Sequence, residues 1–146
     1  MNLPTNILVA TDYGESSNAA LDYAVGLAAK LDAKVSLLHV IGVPAYGVPE
    51  LGLAVTSTMI DTLVKDNQVV LDKLVAKYTQ VKVTPILRTG EPRDQIVQTA
   101  DENRAELIIM GTHGRRGVSR ALLGSVAESV LRHAHCPVLT IRLPKR

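Results

Sequence analysis

Two apolar patterns alternate along the chain. Short unbroken runs, NILVAT at 6–11, KVSLLHVI at 34–41 and ELIIM at 106–110, are separated by longer stretches of helical spacing. Apolar runs of this length fit parallel strands buried on both faces. VKVTPIL at 81–87, which alternates, and PVLTI at 137–141 predict two more strands. Pro85 has no N–H to give a ladder, which suggests that 81–87 is an edge strand.

Between the first two runs, Ala20, Ala24, Leu27, Ala28 and Leu31 fall on one helical face, and Ser16 and Ser17 can cap the helix. From about Ser57, the positions Met59, Ile60, Leu63, Val64, Val70, Leu71, Leu74 and Tyr78 predict a long amphipathic helix. Gly90-Glu91-Pro92 opens another, with Pro92 at a favourable first position and Ile96, Val97 and Ala100 as its apolar face. Leu123, Val126, Ala127, Val130 and Leu131 mark the last helix. Residues 42–57, GVPAYGVPELGLAVTS, have no clean period and form a connection long enough to cover a ligand or a partner.

The order βαβ, long connection, αβαβαβ predicts an α/β domain with a parallel sheet covered by helices on both faces. Ligands of such sheets bind beyond the carboxyl ends of the strands, where the strand order reverses. Asp12 ends the first strand and Gly111 the fourth. If those strands are neighbours, both residues face one crevice.

At 146 residues the chain fits one domain, 1–146, able to bury roughly 70% of its unfolded surface without a disulfide or metal. Its one cysteine, Cys136, cannot form an intrachain disulfide. Aromatics make up 3%, with no Phe and no Trp, so the core must be aliphatic. Single-stranded nucleic acid, which is held by stacking, is a poor partner for such a chain. A net charge of +2 is too small to imply a polyanion. The start MNLPTNILVATD lacks the features of a secretory signal, and no apolar stretch approaches the roughly 20 residues that span a bilayer. A soluble, cytoplasmic protein without a membrane partner is expected.

GTHGRRGVSRALLGSV, from Gly111 to Val126, holds four glycines, three arginines and no acid. Glycine lets a backbone approach a phosphate, and a helix N-terminus supplies free N–H groups and partial positive charge. Arg115, Arg116 and Arg120 raise the local potential, and Ser125 sits near a helix start. A plain glycine turn followed by a solvated basic loop is the competing reading. No Lys precedes Ser125, so a Walker A loop is absent, and DYGESS after the first strand lacks the dinucleotide fingerprint.

The spacing Gly111-x2-Gly114-x9-Gly124-Ser125 resembles the Gly-x2-Gly-x9-Gly-Ser/Thr motif of the ATP-binding branch of the universal stress protein family. ILVATD, VSLLHVI, GEP, LIIMGTHG and LLGSVAESVLRHAHCPVLTIR agree with the family in order, over essentially the whole chain. The resemblance implies a five-stranded parallel sheet of order 3-2-1-4-5 with helices on both faces, and a homodimer through the last strand, Val138 to Arg142. It places Ala10, Thr11 and Asp12 at the nucleoside end, Val40 against adenine, and Met110 and Gly111 near the ribose. Gly114, Gly124, Ser125 and Val126 would hold the phosphates of ATP, with Mg²⁺ able to bridge phosphate oxygens. His113 and Arg115 lie in the loop but outside the motif. Where the family often has Asp-Gly-Ser after the first strand, this chain has Asp12-Tyr13-Gly14-Glu15-Ser16, which bears on the ribose end.

Other groups carry less. A receiver-type phosphoacceptor needs an Asp after the third strand, where Arg88-Thr89-Gly90 stands. His133, His135 and Cys136 have no usual zinc spacing, and Cys136 reads as a small buried residue. His39 reads as a satisfied core or rim residue. Arg115, Arg116 and Arg120 make a poor nucleic-acid footprint without stacking aromatics or a recognition helix. The expected function is an ATP-binding stress-response regulator, a homodimeric nucleotide-dependent switch. A slow ATPase or self-phosphorylating enzyme in the same pocket is the alternative, with Thr112, Ser119 and Ser125 the nearest hydroxyls. With no dedicated base, P-loop lysine or second acid, no residue is assigned as catalytic. A nucleotide-free interaction module is a third reading, disfavoured by the intact glycines.

Overall fold

The computed structural model describes residues 2–42, 57–113 and 123–144. Strands and helices alternate: β1 (Asn6–Thr11), α1 (Glu15–Leu31), β2 (Lys34–Ile41), α2 (Ser57–Ala76), β3 (Val83–Thr89), α3 (Pro92–Glu102), β4 (Leu107–Gly111), α4 (Ser125–His133) and β5 (Val138–Ile141). The five strands form one parallel sheet of order 3-2-1-4-5. β3 is an edge strand, so Pro85, opposite Leu37, interrupts a ladder on one side only. β3 begins two residues later than its sequence pattern suggests, and β4 and β5 begin one later.

The period of two in the strands sorts side chains to two cores. Ile7 and Val9 of β1 join Val35, Leu37 and Ile109 beneath Leu21, Ala24 and Val25 of α1 and Leu71 of α2. Leu8 and Ala10 join Leu38, Ile108 and Met110 beneath Ile96 and Ala100 of α3 and Ala127 and Val130 of α4. Both buried cores are aliphatic throughout, as the composition requires. Each fully buried Leu or Ile contributes about 1.5–3 kcal/mol.

Helix ends refine the expectations. Gly14, not a serine, is the N-cap of α1; Ser16 and Ser17 lie buried inside its first turn. α1 stops at Asp32, whose left-handed conformation lets Ala33 N–H reach the Ala28 carbonyl. Pro92 opens α3, and the Glu91 carboxylate accepts from Asp94 N–H. Gly90, at φ 139°, makes the turn from β3 into that helix, a conformation an L side chain rarely adopts. On α2 only Leu71 is fully buried, while Met59, Leu63 and Val70 stay exposed. Leu131 of α4 is exposed as well.

Candidate functional site

β1 and β4 are neighbours, with Ala10 opposite Met110. To one side of them the sheet continues to β2 and β3, and to the other it ends at β5, so the order reverses between β1 and β4. A cavity of about 420 Å³ opens at their carboxyl ends. Ala10, Thr11, Asp12, Val40, Met110, Gly111, His113, Gly124, Ser125 and Val126 all line it. Gly114 and Arg115 lie outside the described residues, as do Arg116, Ser119 and Arg120. The wall also includes residues to which the sequence assigned no site role, among them Ser17, Leu38, His39, Pro92 and Ile96.

One part of the wall is apolar: Ala10 and Met110 from the central strands, Leu38 and Val40 from β2, and Pro92 and Ile96 from α3. These side chains suit a flat, weakly polar group such as a nucleobase.

The β1–α1 turn satisfies its own polar groups. Asp12 N–H donates to Ser17 Oγ (3.2 Å), Tyr13 N–H to Thr11 Oγ1 (3.0 Å) and Gly14 N–H to Asp12 Oδ1 (2.9 Å). Ser17 O–H also donates to Asp12 Oδ1 at 2.6 Å. The Thr11 carbonyl is engaged by His39 Nδ1 at 2.8 Å. A carbonyl only accepts, so Nδ1 carries the proton. The His39 ring stacks on Tyr13, centroids 4.2 Å apart, and Tyr13 adopts a left-handed φ of 66°. The sequence departure at Tyr13 is therefore a residue where glycine would be at ease, held instead by its ring contact.

The start of α4 is built differently. Gly124 N–H donates to the Thr112 carbonyl (2.6 Å), and Thr112 N–H donates to Ile141 of β5 (3.1 Å). This brings Gly111 and Gly124, thirteen positions apart, to the same wall. Gly124 is the N-cap and has no side chain to satisfy the helix. Among the described residues, nothing accepts from the N–H groups of Ser125, Val126 or Ala127. The acid in this first turn, Glu128, is exposed and bound to Arg132 at 2.9 Å. α3, in contrast, already carries an acidic cap in Glu91. α1 likewise has a glycine N-cap without a side-chain cap bond, but of these three helix starts only α4 lines the cavity with three successive first-turn residues, Ser125, Val126 and Ala127, whose N–H groups can meet an anion there.

Gly111 serves a different purpose from the one its motif suggests. A Cβ there would lie 2.7 Å from the Ser16 carbonyl carbon. Its missing side chain admits α1 against β4, whatever it also does for a ligand.

The other candidates find local partners. His133 Nδ1–H donates to the Ser129 carbonyl, one turn back, at 2.8 Å. His135 pairs with Asp101 of α3 at 3.0 Å. Burial, and then the Asp101 charge, push the Cys136 thiol above its ordinary range, which disfavours the nucleophilic thiolate. Among the described residues, no three His, Cys, Asp or Glu side chains are grouped to hold a metal, and no helix is long and apolar enough to cross a membrane.

Comparison with known proteins agrees with this geometry. Residues 4–142 match the model of the universal stress protein family. A universal stress protein of Methanocaldococcus jannaschii is 38% identical over 149 residues, covering 99% of this chain and 86% of the relative. The universal stress protein UspA of Lactobacillus plantarum superposes with a TM-score of 0.76 at 28% identity, over 94% of this chain and 97% of the other. A universal stress protein in complex with cAMP gives 0.62 at 26% identity, over 96% and 98% of the two chains. One from Archaeoglobus fulgidus in complex with dAMP gives 0.67 at 25% identity, over 94% and 97%. The chain belongs to the universal stress protein family.

Proposed function

We propose that the protein binds ATP in the cavity between β1 and β4 and acts as a homodimeric, nucleotide-dependent regulator of the stress response. The observation that carries this reading is the pairing, in one cavity, of an apolar wall with the open N-terminus of α4. The base packs among Leu38, Val40 and Ile96. The ribose lies by Asp12 and Gly111. The phosphates take the N–H groups of Ser125 and Val126 and the Ser125 hydroxyl, with Gly114, His113 and Arg115 completing the loop. Relatives in complex with cAMP and dAMP support a nucleotide of the adenine class. Mg²⁺ would offset phosphate charge in this reading, held by the nucleotide itself, since among the described residues no three His, Cys, Asp or Glu side chains are grouped to hold it. No lysine stands where a P-loop needs one, which favours holding the nucleotide over turning it over.

The dimer forms through the edge from Val138 to Arg142. β5 closes one side of the sheet, and all four of its residues stay only partly buried. Sedimentation velocity and phosphate release, on purified protein with ATP, test this function together. The expected results are twice the chain mass and a release rate far below the ~1–10³ s⁻¹ of ordinary enzymes. A single-chain mass contradicts the dimer, and turnover within that range contradicts the switch.

A further inference from the structure

The nucleoside end of the cavity offers few free polar atoms. Thr11 has its carbonyl bound by His39 and its hydroxyl oxygen bound by Tyr13 N–H. Asp12 Oδ1 already accepts twice, from Ser17 O–H and Gly14 N–H. Among the described residues, no donor is bound at Asp12 Oδ2. Asp12 lines the cavity, so Oδ2 is the strong acceptor left for a ligand. An ionised carboxylate only accepts, so its partner must be a donor. Asp12 follows Thr11, the last residue of β1, and lines the same cavity as the apolar wall and the start of α4. In the nucleotide reading above, the donors beside Asp12 are the ribose hydroxyls.

Ser17 decides where that oxygen points. Its Oγ both donates to Asp12 Oδ1 and accepts from Asp12 N–H, so it grips the side chain and the backbone of the same residue. Ser17 is itself only 5% exposed and sits in the first turn of α1, which fixes its position. Gly14 N–H alone would hold Oδ1 at one point and leave the carboxylate free to swing. We propose that Ser17 is a positioning residue for nucleotide recognition. It locks Asp12 Oδ1 so that Oδ2 accepts from a ribose hydroxyl. The proposal rests on the nucleotide reading of the cavity.

The test compares ATP with 2′,3′-dideoxy-ATP by calorimetry on nucleotide-stripped full-length protein. Ser17→Ala should weaken ATP about tenfold, the scale of one hydrogen bond to a charged group, and change dideoxy-ATP by less than about twofold. Asp12→Asn should erase the same preference, and in that background Ser17→Ala should add nothing. Should the alanine variant fail to fold, Ser17→Cys keeps the size with a weaker donor and should lose part of the preference. Equal losses for both nucleotides would make Ser17 a purely structural part of the turn and overturn the proposal. Unchanged ATP affinity would overturn it as well. A wild-type protein that binds neither nucleotide overturns the cavity reading itself, a result distinct from the other two.

Discussion

At Gly111 and Ser17, single residues take on meaning only through the turn that brings them together. The sequence showed Gly111 as part of a phosphate-type glycine pattern. The structure adds that Ser16 fills the space its side chain would need, so the residue is required for packing even without a ligand. Gly111→Ala pushes a Cβ onto backbone of α1, which cannot retreat as a flexible side chain would. A loss of about 1–3 kcal/mol is expected in urea denaturation. A midpoint equal to wild type would show that α1 shifts freely. Ser17 was legible as a polar residue at a helix start but not as the partner of Asp12. A contact from i to i+5 depends on the shape of the turn between them, and here that shape includes a tyrosine in the left-handed region. His39, read as core or rim, lines the cavity for the same reason: its neighbours come from other strands.

At the scale of elements, period and punctuation were enough to find all nine among the described residues, because each apolar run or stripe is bounded by Gly, Pro or polar residues. Depth of burial was less legible. The spacing on α2 marked Met59, Leu63 and Val70 together with Leu71, yet the sheet covers only the Leu71 side at its centre. A helix at the margin of a sheet meets it along a narrow line, which a hydropathy pattern does not reveal. Past the end of α2, Tyr78 donates a hydrogen bond to Asp22 of α1. Burial, then that bond and the Asp22 charge, push the phenol up from 10.0 to about 12. The folded state thus holds this proton more tightly than the unfolded one. The stabilisation is complete below pH 10 and is lost as the pH rises towards 12. The urea midpoint of the wild type should fall more steeply across that window than that of Tyr78→Phe, which has no proton to lose. Parallel curves would mean that the pair contributes nothing.

For the whole molecule, alternation of strands and helices predicted a parallel α/β sheet, while the order 3-2-1-4-5 came from the family resemblance; the observed topology agrees with both. That order puts the tips of β1 and β4 at one opening, where ten of the expected site residues meet. Glycine spacing alone could not show which helix N-terminus would take an anion. That depends on which helix start reaches the cavity: α3 is capped by Glu91 and α1 brings only Ser17 to the wall, while α4 brings Ser125, Val126 and Ala127. The central claim is therefore that the start of α4 reads the phosphates of a nucleotide. Calorimetric titration of nucleotide-stripped wild-type and Gly124→Val proteins with ATP, and with AMP as control, tests it most directly. Wild-type protein should bind ATP with a Kd of about 1 μM or tighter, bind AMP more weakly, and lose at least about tenfold in ATP affinity with the valine while keeping its circular dichroism spectrum. Equal affinity for ATP and AMP, or an unchanged ATP affinity in Gly124→Val, would contradict phosphate recognition at α4.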